Sequence, residues 1–198
     1  VCFSFSQKSS KNLIIIWKQL ETNMIDKEID SVLREIKDFP NKGINFKDIT
    51  SLLLHPKLGS KILDLLVEKI KSTKLDAIVG VESRGFLFGY SLAMKLQIPF
   101  VPARKGGKLP GSVVQTKYSL EYGQAILEIH KNDIKSDWNI LIHDDLLATG
   151  GTAVAASELI KMLGANVAGY AFLISLKSLN GDKKLSKFSD NIISLVNY

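Results

Sequence analysis

The sequence predicts an α/β protein in which a central, mostly parallel sheet is flanked by helices. Two short apolar runs, Ala77–Val81 and Ile140–Ile142, suit buried strands of a parallel sheet. Each run leads into a polar, glycine-containing turn and then into a helical segment, which is the order of a βα unit. The length of 198 residues and the hydrophobic fraction of 45% suit one domain with a sizeable core.

The charge and the cysteine content narrow the class of partner. The net charge of +6 favours anionic partners. Phosphorylated metabolites are favoured over nucleic acid or a membrane surface, because no long Lys/Arg block interleaved with aromatic residues is present. Cys2 is the single cysteine, which excludes an intramolecular disulfide and a cysteine-based metal cluster and predicts a cytoplasmic location.

Residues 1–23 are predicted to be an N-terminal extension that is non-native or disordered, and residues 24–198 a single domain. Val1 is not an initiator methionine, whereas Met24 offers a start site. The apolar run Leu13–Trp17 is too short to span a membrane. We assign no function to the extension.

Apolar spacing predicts the other elements in chain order. Ile25–Ile36 has apolar residues at helical intervals and ends before Pro40, because a proline disfavours helix in the residue before it. Pro40 and Gly43 mark a structured loop, and residues 56–71 form an amphipathic helix. The later predicted elements are a strand over Pro99–Pro102, a hairpin within Val113–Ile129, a helix over 153–163, a strand over Val167–Leu176, a turn at Asn180–Gly181 and a strand over Ile192–Val196.

The segment 140–152 combines a buried strand, an acid pair and a loop that leads into a helix. Asp144 and Asp145 follow the strand, at the end where open α/β sheets bind ligands. Consecutive glycines let backbone N–H groups approach an anion, and the helix N-terminus adds partial positive charge. A phosphate therefore fits the loop, and vicinal hydroxyls or a magnesium-bound ligand fit the acid pair. The alternative is an acidic strand end followed by an ordinary glycine turn. The predicted phosphate-binding residues are Ala148, Thr149, Gly150, Gly151 and Thr152.

This segment resembles the phosphoribosyl pyrophosphate (PRPP) signature of the type I phosphoribosyltransferases. It lacks the spacing of a P-loop or of a dinucleotide fingerprint. The resemblance implies the type I phosphoribosyltransferase fold, with a small hood and a flexible loop. It also implies that Asp144 and Asp145 hold the ribose hydroxyls, that the loop binds the 5′-phosphate, and that Mg²⁺ is held mainly through PRPP.

Two further loops resemble the diphosphate-binding loops of the family. The first is Glu82–Gly89, in which Ser83 and Arg84 would bind diphosphate and the peptide bond before Ser83 would be cis. The second loop would bind diphosphate and reach toward the partner subunit of a homodimer. The alternative for Arg84 is a surface salt bridge. The alternative for the second loop is a solvated cluster of cations. The cations of the second loop are Arg104, Lys105 and Lys108.

Residues 38–54 resemble the base-binding segment of adenine phosphoribosyltransferases. Phe46 would stack on the purine, and the backbone of Asn45 would hydrogen-bond the edge of the base. Lys47 stands where the family usually has arginine, which leaves the contact at this adenine-binding position open. The alternative places Phe46 in the core and Lys47 on the solvated surface.

Residues 113–129 as a whole resemble the mobile catalytic loop of the family. Glu121 would be the acid/base catalyst and Tyr122 a lid residue. Closing of this loop would exclude water from the activated ribose. The alternative for Glu121 is an exposed loop charge.

Together the motifs resemble an adenine phosphoribosyltransferase over about residues 25–198. The implied reaction is that of a pentosyltransferase, a glycosyltransferase of purine salvage, in which adenine and PRPP give AMP and diphosphate. The ribose would pass through an oxocarbenium-like state, without a protein nucleophile. Two alternatives stay open: a regulator that senses PRPP or purines without catalysis, and a phosphoribosyltransferase for another base.

Overall fold

The computed structural model describes residues 24–39, 41–119 and 123–198. The chain divides into two compact units, of which the first ends at Ile62 and the second spans Leu63–Tyr198. The predicted extension lies outside the described residues, and the single domain over 24–198 stays a prediction. None of the described helices combines the length and the apolar character that crossing a membrane requires.

The first unit contains a helix, a hairpin and a short 3₁₀ helix. Helix α1 covers 24–32. Strands β1 (Arg34–Lys37) and β2 (Asn45–Asp48) pair in antiparallel fashion. The carboxylate of Asp48 then caps a 3₁₀ helix over Ile49–Leu54.

The prediction of a helix over Ile25–Ile36 is wrong in its last turn. Ile29 is fully buried, as the helical spacing requires, whereas Ile36 is 37% exposed and lies in β1. The backbone N–H of Arg34 donates to Ser51 Oγ at 3.0 Å, and β1 pairs with β2. Partners distant in sequence therefore end the helix earlier than the local pattern indicates.

Helix α2 (Pro56–Ile70) confirms the predicted amphipathic helix to within one residue. Its apolar residues recur at intervals of four, and Ile62, Leu66 and Ile70 are buried. This stripe has the spacing of a helix that lies on a core.

The second unit is built on a seven-stranded sheet, in which the strand order is β5-β6-β4-β3-β7-β8-β9. Its strands are β3 (Ala77–Val81), β4 (Phe100–Lys105), β5 (Val113–Ser119), β6 (Gln124–His130), β7 (Asn139–Leu147), β8 (Asn166–Ser175) and β9 (Ile192–Asn197). The β4-β3-β7-β8-β9 pairs are parallel, and β5 and β6 form an antiparallel hairpin against β4. This topology confirms the predicted mostly parallel sheet.

The described part of the second unit also contains the α-helices α3 (Gly85–Leu96), α4 (Gly151–Met162) and the short α5 (Gly181–Leu185), and a 3₁₀ helix over Lys177–Leu179. The core contains fully buried side chains from the sheet, such as Ile142 and Tyr170, and from α4, such as Leu159. The Tyr170 hydroxyl lies 2.7 Å from Ser157 Oγ, so the polar end of this buried ring has a hydrogen-bond partner.

Helix α3 approaches β7 closely because two of its residues have no side chain. A Cβ atom at Gly85 would lie 2.7 Å from the carbonyl oxygen of His143, and one at Gly89 would lie 3.1 Å from His143 Cδ2. Any larger residue at Gly85 would push the helix away from the strand. Packing of α3 on β7 thus depends on glycine at these positions.

Strand β7 is longer than predicted. It continues past Ile142 to Leu147, and Asp144 pairs with Phe172 of β8. The acid pair therefore lies inside the strand rather than after it, because β8 supplies pairing partners as far as Ser175. A rigid strand, rather than a mobile loop, holds the two carboxylates.

The buried imidazole of His143 predicts a pH-dependent loss of stability. Burial lowers the pKa of His143 to about 4. The unfolded chain binds this proton near pH 6.5, so the free energy of unfolding falls as the pH drops from about 6.5 to 4. Between pH 7 and pH 4, we expect the free energy of unfolding to fall by roughly 3 kcal/mol less in His143→Leu than in the wild-type protein.

Urea unfolding of both proteins at several pH values measures this difference. The difference in stability at pH 7 gives the packing cost of leucine, which is subtracted at the lower pH values. Parallel pH profiles for the two proteins would contradict the prediction.

Candidate active site

The carboxyl ends of β3 and β7 meet at a topological switch point of the sheet. β3 leads through α3 to β4 on one side, while β7 lies on its other side. Open α/β sheets bind ligands in the crevice at such a point. The residues Glu82, Ser83 and Arg84 follow β3, and the acid pair lies near the carboxyl end of β7. Two of the sequence-predicted junctions therefore lie at one edge of the sheet.

Arg84 and Asp145 form an ion pair across this edge. Arg84 Nε lies 3.1 Å from Asp145 Oδ2, and the two side chains are 34% and 3% exposed. The peptide bond between Glu82 and Ser83 is cis, as the family resemblance implies. Because the carboxylate partner is buried, the pair is not the surface salt bridge that was the alternative for Arg84.

The two aspartates have raised pKa values. Burial is the main cause for both, and the charge of Asp145 raises the pKa of Asp144 further, while Arg84 opposes the rise. The Asp145 backbone N–H also donates to Asp144 Oδ1 at 2.9 Å. A carboxylate that is costly to charge gains free energy from a hydroxyl donor or a cation beside it. The pair therefore suits ribose-like hydroxyls or a metal ion with oxygen ligands.

A small pocket lies between the end of β7 and the start of α4. Its volume is about 80 Å³, and it is lined by residues 146–153 together with Asp144 and Phe172. Gly151 begins α4, whose first N–H groups have no partner within the helix and carry partial positive charge. The pocket thus suits a small anion such as a phosphate group.

Gly150 gives this loop its shape. Its φ of +77° lies in the left-handed region, and a Cβ atom there would lie 2.8 Å from the carbonyl oxygen of Gly181. Gly181 begins α5, so this short helix packs behind the loop. The sequence alone predicts only a turn at Gly181, because its contact with Gly150 joins residues that are far apart in the chain.

The second cation loop starts beside the first. Arg104 Nη2 lies 2.8 Å from Glu82 Oε1, and the Lys105 backbone N–H donates to Glu82 Oε2 at 2.7 Å. The hydrogen bond from Arg104 lowers the pKa of Glu82 despite partial burial. Lys105 and Lys108 are exposed, and Arg104 Nη1 donates to the backbone carbonyl of Lys108 at 3.2 Å. Arg104 is therefore held in an ion pair, and is not a solvated cation.

Glu128 on β6 is a residue that the sequence analysis missed. It is 3% exposed, and its Oε1 accepts the backbone N–H groups of Lys108 and Leu109, both at 2.8 Å. Burial alone would raise the pKa of Glu128, but backbone N–H donors of the loop outweigh it and lower the pKa. The signal in the sequence is a single carboxylate between Leu127 and Ile129, which are fully buried.

The predicted base-binding residues lie on the hairpin of the first unit. Phe46 meets Phe39 edge-on, with ring centroids 5.2 Å apart. Lys47 forms an ion pair with Glu35 across the two strands and is 11% exposed, so the alternative of a solvated Lys47 is wrong. Asn45 Nδ2 donates to Glu35 Oε2 at 2.9 Å. A pocket of about 230 Å³ opens beside Asn45 and is lined by Lys37, Asp38, Gly43, Ile44 and Asn45.

The predicted catalytic acid/base Glu121 and lid residue Tyr122 lie outside the described residues. The strands that flank them pair as far as Ser119 on β5 and Gln124 on β6. This antiparallel pairing confirms the predicted hairpin.

Comparison with known proteins assigns most of the chain to a family. The family model for the phosphoribosyl transferase domain matches residues 48–197. An adenine phosphoribosyltransferase of Crocosphaera subtropica is 50% identical over 173 residues, which are 86% of this chain and 99% of that protein.

Two solved structures of adenine phosphoribosyltransferases are also similar. The one from Thermoanaerobacter pseudethanolicus has a TM-score of 0.83 and 45% identity, and the match covers 87% of this chain and 99% of that chain. The one from Saccharomyces cerevisiae, in complex with an imino-altritol bisphosphate and adenine, has a TM-score of 0.81 and 41% identity, with the same coverage.

The contact between Gly150 and Gly181 makes a prediction about stability. Gly150→Ala should lower the free energy of unfolding by roughly 1–2 kcal/mol, because alanine is strained in the left-handed region. It should lower it further because the new Cβ would collide with the Gly181 backbone. Gly107→Ala is a matched control, because Gly107 has a φ of +79° and a Cβ there would meet no atom within 4 Å. Urea unfolding should therefore show a clearly larger loss for Gly150→Ala, and equal losses would contradict the packing of α5 behind the loop.

Proposed function

The chain belongs to the adenine phosphoribosyltransferase family, and we propose that it transfers the phosphoribosyl group of PRPP to adenine, giving AMP and diphosphate in purine salvage. The observation that carries this proposal is the arrangement at the sheet edge. There an anion pocket adjoins the acid pair, Arg84 of the first cationic loop is paired with Asp145, and Arg104 of the second loop is paired with Glu82. These are the groups that a phosphorylated ribose with a diphosphate leaving group requires.

We propose that the loop 148–152 binds the 5′-phosphate of PRPP. The pocket at the α4 N-terminus supports this, since backbone N–H groups and the helix dipole favour an anion there. Thr149 and Thr152 add hydroxyl donors in the same lining. A phosphate fixed here would hold ribose C1 at a constant distance from the acid pair.

Asp144 and Asp145 are proposed to hold the ribose hydroxyls. Their raised pKa values support this, because hydroxyl donors stabilise buried carboxylates. As the bond from C1 to diphosphate breaks, the ring gains positive charge in an oxocarbenium-like state. Two carboxylates on a rigid strand would stabilise that charge without a covalent intermediate.

Diphosphate is proposed to bind to Ser83 and Arg84 of the first loop and to the second loop. Arg84 is held at the crevice by Asp145, and Arg104 is held beside the first loop by Glu82. The cationic groups would stabilise the charge that develops on the leaving diphosphate. The proposed residues of the second loop are Arg104, Lys105 and Lys108.

Mg²⁺ is proposed as the cofactor, bound mainly through PRPP. The donors present fit this, because Mg²⁺ is commonly held by one or two carboxylates together with substrate phosphates. Asp144 and Asp145 are the carboxylates that would contact it. When bound, Mg²⁺ neutralises charge on the diphosphate.

Adenine is proposed to bind through the hairpin of the first unit. Phe46 offers an aromatic face and Asn45 a backbone polar edge, while Lys47 is engaged by Glu35. Glu121 would manage the proton of the imidazole edge of adenine, and Tyr122 would close over the site, as the family resemblance implies.

We also propose that the protein is a cytoplasmic homodimer. The outer face of α3 supports a dimer, because Leu87, Tyr90 and Met94 on this one helix are 40%, 55% and 61% exposed. An apolar patch of this kind is typical of a protein interface. The location rests on Cys2 as the single cysteine.

The acid pair should matter for turnover more than for folding. We expect Asp144→Asn with Asp145→Asn to lower kcat on the order of 10²-fold, because the charge that stabilises the oxocarbenium-like state is lost. Asp76→Asn is a matched control. Asp76 accepts the backbone N–H of Asn139 at the amino ends of β3 and β7, whereas the acid pair lies near the carboxyl end of β7. Steady-state AMP formation from PRPP and adenine measures kcat for the double variant and for the control. Unchanged turnover in the folded double variant would refute the role of the pair.

Phe46 should determine the affinity for the base. We expect Phe46→Ala to raise KM for adenine by roughly tenfold, because stacking on a base contributes on the order of 1–3 kcal/mol, while KM for PRPP stays constant. Phe39→Ala is the control, since Phe39 packs edge-on against Phe46 and is given no contact with the base. An adenine KM that is raised equally in both variants would assign Phe46 to packing alone.

A further inference from the structure

Glu128 is a buried carboxylate that the proposed mechanism does not use. It lies on β6 between Leu127 and Ile129, which are fully buried, and is itself 3% exposed. A buried charge is costly unless it has charged or hydrogen-bonding partners. The position of its partners therefore indicates what the carboxylate does.

The N–H groups that donate to its carboxylate belong to the second cation loop, while its neighbours in the sheet are Arg104 on β4 and Gln115 on β5. Glu128 Oε1 accepts two backbone N–H groups, those of Lys108 and Leu109, each at 2.8 Å. In the sheet, Glu128 lies directly opposite Arg104. Arg104 in turn lies 2.8 Å from Glu82, and its charge also lowers the pKa of Glu128.

The backbone that Glu128 holds has little conformational restraint of its own. Residues 106–111 include three glycines, of which Gly107 and Gly111 have φ values of +79° and +83°. The sheet fixes the two ends of the loop: the Gly106 N–H donates to the Ile126 carbonyl at 2.9 Å, and the Lys131 N–H donates to the Ser112 carbonyl at 3.1 Å. Between these ends the backbone of Lys108 is held by Glu128, which accepts its N–H, and by Arg104, whose Nη1 donates to its carbonyl at 3.2 Å.

We propose that Glu128 is a positioning residue for diphosphate: it holds the loop of Lys105 and Lys108 beside Arg104 in the geometry that binds the diphosphate group of PRPP. This inference rests on the proposed function. We assign Glu128 a positioning role rather than a contact with the ligand, because the hydrogen bonds that its Oε1 accepts come from the loop backbone. It acts by preorganisation, which lowers the cost of ordering the cations at the moment of binding.

The test compares Glu128→Gln with the matched control Glu158→Gln. Glutamine keeps the shape and one acceptor oxygen but removes the charge. Glu158 is an exposed carboxylate on α4 that accepts a hydrogen bond from Thr116 Oγ1 at 3.1 Å. Calorimetric titration with magnesium diphosphate and with AMP measures binding, and steady-state kinetics give KM for PRPP and for adenine. We expect roughly tenfold weaker diphosphate binding and a PRPP KM raised by a similar factor in Glu128→Gln. AMP binding and adenine KM should stay within about twofold of wild type, as should all four quantities in the control.

Two results would overturn the inference. A folded Glu128→Gln protein with unchanged diphosphate affinity would do so. An equal loss for diphosphate, AMP and adenine would also do so, since it would show a general structural role. If Glu128→Gln fails to fold, Glu128→Asp keeps the charge but shortens the reach by one methylene, and it should show the same selective loss.

Failure of the proposed function has a different signature. If the wild-type protein binds diphosphate but makes no AMP from adenine, the proposed function is wrong. The diphosphate titration would still test the positioning role of Glu128. A wild-type protein that binds no diphosphate would contradict both.

Discussion

The close packing of α3 against β7 is the constraint on which the rest of the site depends. Glycine at positions 85 and 89 lets the helix lie on His143, and this contact brings Arg84 to 3.1 Å from Asp145. The ion pair in turn joins the ends of the two strands that flank the switch point of the sheet. A side chain at Gly85 would move the helix and with it the arginine, so the packing and the electrostatics of the site cannot be varied separately.

Fixed neighbours of opposite charge partly compensate the charged side chains Asp145, Arg84, Glu82 and Arg104 at this edge of the sheet. Burial raises the pKa values of Asp144 and Asp145, and Arg84 partly offsets that rise. Around the second loop the relation is reversed: hydrogen bonds from Arg104 and from backbone N–H groups lower the pKa values of Glu82 and Glu128. The cations can therefore stand together before a ligand arrives, because fixed carboxylates compensate their repulsion. A site of this kind needs little reorganisation when an anionic substrate binds, so the free-energy cost of reorganisation is small.

The local parts of this arrangement were predictable from the sequence, and the long-range parts were not. The strand, acid pair and glycine loop around Asp144 follow one another in the chain, so periodicity and turn chemistry predict their order, although pairing with β8 extends β7 past the acid pair. Glu128 and Gly181 were missed because their partners, Lys108 and Gly150, are distant in sequence. The last turn of the predicted helix at Ile36 failed for the same reason, since pairing with β2 overrides helical spacing. Glu121 and Tyr122 remain predictions from family resemblance.

The central claim is that this crevice transfers phosphoribosyl groups to adenine, and turnover of different bases tests it most directly. The purified protein would be assayed at steady state with PRPP and Mg²⁺, and with adenine, hypoxanthine, guanine and orotate offered separately. The account predicts AMP formation from adenine and no product from the other bases. Preferential turnover of another base would be consistent with the PRPP site but would contradict the assignment of adenine binding to Phe46 and its hairpin. Tight PRPP binding without turnover of any base would contradict the enzymatic account and favour a sensor.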